Sequence, residues 1–298
     1  MFEIANETLV ARFAPLGARM CHVSFREGQN LILDADPATH PEWAASYGGV
    51  IVGPVANRVA TAQVKIGEQH FAMDANEGVN CLHSGPNGMH TRTWHVTEQS
   101  NASVTFAVSL PDNACGLPGR REISAAFALH AECLDLTITA TSDQITPMAM
   151  AHHPYWALGG PHILQCDADR YLPVDDALIP TGAVAAVAGT DFDFARPRVL
   201  PQNIDHNLCW SGDRNLDAPM ATLHGQNAVM EIWSNQPGLQ VYSGAGLPNL
   251  PGITPFAGCA LEPQNWPNAV NTAHFPSALL QPHTSYHYRV RYRFLPAS

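Results

Sequence analysis

The chain has 298 residues, 46% of them hydrophobic, enough to bury a large core as one large β domain or two ordinary domains. Only 14% are charged and the formal net charge is −11, a balance that repels phosphate backbones and argues against a nucleic-acid partner. The seven cysteines, at positions 21, 81, 115, 133, 166, 209 and 259, include no CxxC and no Cys/His cluster at zinc-ligand spacing, so reduced thiols are expected rather than disulfides or a metal centre.

The chain opens on MFEIANETLVARF, which alternates polar and apolar residues and lacks a charged region followed by a long apolar run. No window approaches the ~18 apolar residues of a membrane span. The expectation is a soluble, unsecreted, cytoplasmic protein with no membrane partner. HPEWAA at 40–45 predicts one or two helical turns, and little else has a 3.6-residue period. Period-2 alternation predicts strands at 103–110 (SVTFAVSL), 123–130 (ISAAFALH) and 134–140 (LDLTITA). It is clearest at 286–294 (YHYRVRYRF), where Tyr286, Tyr288, Val290, Tyr292 and Phe294 share one face and His287, Arg289, Arg291 and Arg293 the other. Three arginines in line suit either an anion or a solvated sheet face, and the second is the commoner use. The 22 glycines and 24 prolines are spread as turns between short strands require. No composition break, linker or repeat divides the chain. The prediction is a single all-β unit over 1–298, a large and mostly antiparallel β-sandwich.

Five polar stretches set ionisable groups among glycines, prolines and aromatics: GPVANR (53–58), CLHSGP (81–86), AHHPYWALGG (151–160), NIDHNLCW (203–210) and GCALEPQNWPNAVN (258–271). Each has a plain structural explanation. Arg58 suits a core-edge ion pair, His83 and His153 suit satisfied core histidines, Asp205 suits a turn cap, and Glu262 suits a strand-end pair. No HExxH, Walker A or GxSxG occurs, nor a GxGxxG between strand and helix. His152 and His153 are adjacent, so on an extended chain they point to opposite sides. That disfavours a two-histidine metal clamp and leaves one imidazole for acid/base work.

Eight collinear segments make the chain similar to the aldose 1-epimerase (galactose mutarotase) family. They are APLGARM (14–20), YGGVIVGPVANRVA (47–60), NCLHSGPNGMHTRTW (80–94), AHHPYWAL (151–158), LPVDDALIPTGAVAAVAGTDFDFARPRVL (172–200), IDHNLCW (204–210), SNQPGLQVYSG (234–244) and ALEPQNWPNAVN (260–271). The resemblance implies the family's β-supersandwich and a sugar substrate; the anomer exchange itself requires no cofactor and no metal, and none is expected. The resemblance places Glu262 as general base, His153 as general acid and His83 as a second histidine near the ring oxygen. Arg58 and Asp205 fall at sugar-holding positions, with Asn57 in the family's Asn-Arg pair beside them; Tyr155 is added to the substrate-binding set as an aromatic whose face suits the sugar's C–H surface or core packing. His152, Pro154 and Ala157 depart from the family's usual Asn, Ser and Asn, and Asn268 from its usual Asp; these departures bear on which sugar is taken.

Such residues suit a cyclic hemiacetal. Opening the ring needs one proton removed from the C1 hydroxyl and one given to the ring oxygen, which a carboxylate and an imidazolium can supply. The fork of Arg58 is expected to reach two neighbouring hydroxyls, and Asp205 to accept from a vicinal pair. Trp156 and Trp266 are weighed as sugar-facing aromatics against core packing. A monomer or a homodimer is expected. Alternatives are a glycoside hydrolase using Asp205 and Glu262 as its paired carboxylates, and a non-catalytic sugar-binding or sensor protein. An epimerase of anionic sugars would need Arg92, Arg120, Arg121, Arg196, Arg198 or Arg214 at the cleft.

Overall fold

In a computed structural model that describes residues 1–212 and 217–297, strands make up nearly all of the regular structure. The single α-helix among the described residues is the short turn Pro41–Ala44, inside the stretch expected to be helical, and it buries Trp43. No helix of the described residues is long and apolar enough to cross a membrane.

The largest sheet has nine strands in the order Arg198–Val199, Ile163–Gln165, Ala221–His224, Ala228–Ser234, Tyr286–Pro296, Cys133–Ser142, Arg121–His130, Ser103–Leu110 and His95–Gln99. Its four predicted strands form as read, with ends moved outward by up to two residues. Alternation sets the register: Ala125 lies opposite Ile138 and Phe127 opposite Leu136, so buried side chains meet on one face. Along Tyr286–Pro296, Tyr288, Val290, Tyr292 and Phe294 point inward, while Arg289 and Arg291 are exposed and Arg293 half-buried. Arg291 forks onto Asp135 with both bonds at 2.7 Å, and Arg293 lies 3.5 Å from Glu231. The arginine row is a sheet face laced with cross-strand ion pairs.

A six-stranded antiparallel sheet, ordered Tyr155–Trp156, Cys259–Gln264, Gly238–Tyr242, Asp205–Cys209, Arg170–Tyr171 and Ala185–Ala186, forms the second layer. Leu208, Leu239, Val241 and Leu261 from this sheet join Phe106, Phe127, Ile138 and Tyr288 of the first in one buried cluster. The three-stranded sheet Phe2–Ala5, Leu9–Ala14 and Arg19–Phe25 adds Ile4, Leu9 and Phe13 to the same cluster. The apolar side of every major strand is thereby satisfied, and the polar side of the six-stranded sheet is left to build a cleft.

Candidate active site

Strand register assembles the acidic wall. Gln240 lies opposite Glu262, and Asp205 opposite Tyr242. Because side chains alternate along a strand, Asp205, Gln240, Tyr242 and Glu262 share the face turned away from Leu239, Val241 and Leu261. Two short strand pairs bring the basic wall. Arg58–Val59 pairs with Cys81–Leu82, and Ala151–His152 with Ile51–Val52. His83 then follows the first pair and His153 the second.

The backbone at these turns is unusual and tightly tied. Asn57, His83 and Ser84 adopt left-handed φ values of 61°, 52° and 68°, which cost non-glycine residues roughly 1–2 kcal/mol each. Reciprocal bonds hold them there. The His83 N–H donates to the Asn57 carbonyl at 3.0 Å, and the Asn57 N–H donates to His83 Nδ1 at 3.1 Å. Ser84 Oγ accepts from the Val55 N–H and donates to the Val55 carbonyl. His153 is pinned at both main-chain groups: its N–H donates to Val50 at 3.0 Å, and its carbonyl accepts from Gly49 at 2.8 Å. Gly49 has φ +75°, and a Cβ there would lie 2.2 Å from the Met20 carbonyl oxygen, so only glycine lets this approach occur.

All seven residues singled out from the sequence, Asn57, Arg58, His83, His153, Tyr155, Asp205 and Glu262, line one cavity of about 160 Å³. Inside it, His153 Nε2 stands 3.5 Å from Glu262 Oε1, with both side chains buried. The second carboxylate oxygen of Glu262 is buried and takes no hydrogen bond from the described residues, which leaves an acceptor for a ligand hydroxyl. Burial pushes Glu262 well above the usual carboxylate range, and the neighbouring Asp205 adds to the rise while Arg58 opposes it. Burial also lowers His153 to about 4 and His83 well below 6.5. His83 is therefore a neutral ring. Its Nδ1 accepts from Asn57, so its proton sits on Nε2 and the ring acts as a donor. Its edge packs against His153, with ring centroids 5.4 Å apart, and Tyr47 covers both.

Arg58 is held from one side: its Nε and Nη2 are clamped bidentately on Glu77 at 2.6 and 2.8 Å, which leaves three of the five guanidinium N–H donors to other partners. Its Nη1 lies 3.7 Å from Asp205 Oδ2. Asp205 in turn accepts from Gln240 at 2.6 Å, which holds its carboxyl group in place, and burial raises its pKa against the opposing pull of Arg58. Glu77→Gln should loosen the clamp and raise KM roughly three- to tenfold with kcat nearly unchanged, because it weakens binding common to ground and transition states. Saturation curves of catalysed anomer exchange measure this, and an unmoved KM would remove Glu77 from the binding machinery.

Several other expectations are settled by position. Trp156 is fully buried in the core, and Trp266 packs on Phe275 and donates to the Pro237 carbonyl, so neither faces the cavity. Tyr155 lines the cavity, with its hydroxyl donated to Ser46 at 3.1 Å. Arg120 pairs with Glu122, Arg121 is buried against the carbonyls of residues 111, 114 and 117, Arg92 donates to Asn87, and Arg198 pairs with Asp191. Arg196 does not line the cavity, and Arg214 lies outside the described residues. Gln240, Tyr242, Tyr47 and Glu77 were not singled out from the sequence. The polar Gly238, Gln240 and Tyr242 alternating with Leu239 and Val241 marked a second sheet face, whereas Glu77 sits in a loop with no periodic signal.

A family model described as Aldose 1-epimerase matches residues 1–293. The chain is 34% identical to a galactose mutarotase of Homo sapiens over 270 residues, 83% of this chain and 79% of that protein. It is 30% identical to the aldose 1-epimerase of Escherichia coli (strain K12) over 289 residues, 88% of this chain and 83% of that protein. Among solved structures, the GalM/aldose epimerase homologue from C. elegans superposes with a TM-score of 0.91 at 27% identity, covering 100% of this chain and 99% of that one. The galactose 1-epimerase from Lactobacillus acidophilus NCFM gives 0.87 at 25% identity, covering 99% and 93%.

Proposed function

The chain belongs to the aldose 1-epimerase family and is an isomerase that interconverts the α and β anomers of a free sugar; from that premise we propose that Glu262 is its base and His153 its acid. The observation that carries the assignment is the buried 3.5 Å approach of His153 Nε2 to Glu262 Oε1 inside a cavity whose other polar groups suit hydroxyls.

The proton count fits. With one proton shared by the pair, the ionic form (carboxylate and imidazolium) opens the ring. Glu262 takes the O1 proton, the C1–O5 bond breaks, and His153 protonates O5. The open aldehyde then faces the neutral form, glutamic acid and imidazole. After rotation about C1–C2, O5 attacks the other face of C1, the imidazole takes the O5 proton, and Glu262 returns its proton to O1. Burial that raises Glu262 and lowers His153 favours the neutral form, so the same dry site supports the open-chain stage. Two protons move and return, and no cofactor takes part.

The sugar is neutral on this reading. Among the described residues of the lining the His153–Glu262 pair with its one shared proton carries no net charge, and Arg58 is matched by Asp205 and already engaged by Glu77, so a phosphate or sulfonate would find no uncompensated cation. Asp205 is committed to Arg58 and Gln240, which supports binding rather than a hydrolase's second carboxylate. One buried cluster running from Ile4 to Phe294 supports a single folding unit. Six of the seven cysteines are buried, which supports the cytoplasm as their compartment.

The test is NMR anomer exchange or polarimetry on freshly dissolved α-aldoses across pH. The rate should plateau, falling on the acid side near pH 4, where His153 takes up a proton with Glu262 already protonated and no base remains. It should fall again only well above the ordinary carboxylate range, where the pair has lost its last proton and no acid remains. A rate no faster than in buffer would instead support a sensor, and release of an aryl aglycone a hydrolase.

A further inference from the structure

The acid's segment is held from behind by a row of phenols on the strand Tyr286–Pro296. Residues 150–153 are extended, so their N–H groups alternate in direction. The His153 N–H goes to Val50, on the side of the paired strand. The N–H groups of Met150 and His152 point the other way, into the protein, where no strand of the described residues pairs with them. Tyrosine hydroxyls accept them instead. Met150 donates to Tyr286 Oη at 3.1 Å, and His152 to Tyr288 Oη at 3.3 Å. A third phenol, Tyr292, lies 3.2 Å from His152 Nδ1 and packs on that ring. His152 is fully buried, lies against Phe127, and is pushed by burial down to about 3, so it stays neutral. The phenols are buried as well and their pKa values are pushed up, so they keep their protons across the working pH range.

We propose that Tyr288 and Tyr292, acting through the main chain and ring of His152, are positioning residues that set the depth and direction of His153 against Glu262. The inference rests on His153 being the acid. Its mechanical basis is short: one peptide bond separates the anchored His152 N–H from the His153 Cα. The ring of His152 is a wedge whose far side is fixed by Tyr292, so any rotation of this segment to move His153 must break one of the two contacts. Tyr286 holds the same segment two residues earlier and should matter less to the acid.

The experiment compares Tyr288→Phe, Tyr292→Phe and Tyr286→Phe, with His153→Asn as the reference, by anomer exchange over pH. Tyr288→Phe should lower kcat roughly tenfold and Tyr292→Phe roughly threefold with KM unchanged, because a slightly displaced acid loses rate rather than affinity. The acid limb should also move to higher pH in both. A looser His153 is better hydrated, so its depressed pKa rises back toward the ordinary histidine value. A merely structural role would reduce the active fraction and leave the limb in place. Tyr292→Phe removes a side-chain contact without orphaning a main-chain N–H and should fold even if Tyr288→Phe does not. If His153→Asn is inactive while Tyr288→Phe and Tyr292→Phe keep the wild-type kcat and limb, the positioning role is wrong and the acid assignment stands. If His153→Asn itself remains active, the acid assignment fails and takes the positioning role with it.

Discussion

Glu262→Gln should lose roughly 10²–10⁴-fold in kcat for anomer exchange while folding normally, the range a single positioned proton transfer supplies. The amide keeps the shape and removes the base. Position 262 lies in a strand whose six residues are all buried, and its second oxygen has no partner among the described residues, so a neutral amide there should be tolerated by the fold. An amide also removes the proton-uptake cost that folding imposes near neutral pH on a carboxyl whose pKa burial raises, so the thermal midpoint should stay at or above that of the parent. Polarimetry on fresh α-sugar, paired with a thermal melt, checks both halves. Near-normal turnover in a folded Glu262→Gln protein would end its assignment as the base.

A comparable loss, roughly 10²–10⁴-fold, is expected for His153→Asn, with sugar binding largely retained because Arg58, Asp205 and Gln240 are untouched. His152 cannot substitute. Its ring is turned into the core against Phe127 and Tyr292, and burial holds it neutral. Binding of a non-exchanging sugar analogue measured by calorimetry, beside exchange rates by NMR, separates the two effects. Should His152→Asn prove the more damaging of the two changes, the histidines have been assigned the wrong way round.

How much of this was legible depends on whether the physical signal is local. YHYRVRYRF declares its two faces through alternation, and the structure keeps that division from Tyr286 to Phe294. Adjacency alone sent His152 and His153 to opposite sides. Glu262 had no such signal, since every residue of Cys259–Gln264 is buried and the pattern does not tell a buried acid from a buried leucine; it came from resemblance. The clamp of Arg58 on Glu77 was invisible because it depends on a loop crossing 19 positions away in the chain, and nothing in that loop's composition requires it. The left-handed turns at Asn57, His83 and Ser84 were hidden for a related reason. Non-glycine residues reach that region only when tertiary bonds hold them there.

The strand Tyr286–Pro296 sits in the middle of the nine-stranded sheet, between Cys133–Ser142 and Ala228–Ser234. It joins parts of the chain made much earlier, and on the ribosome the two halves of that sheet must wait, with unpaired edges, until its residues emerge. Closure over such long sequence separations is slow and leaves hydrophobic strands open to wrong partners. The same strand carries the phenols behind the acid, so the segment bearing His153 has no backing until synthesis has passed position 292. Catalytic competence thus cannot precede the synthesis of position 292, well after the strands from Phe2–Ala5 to Cys259–Gln264 could have begun to pair.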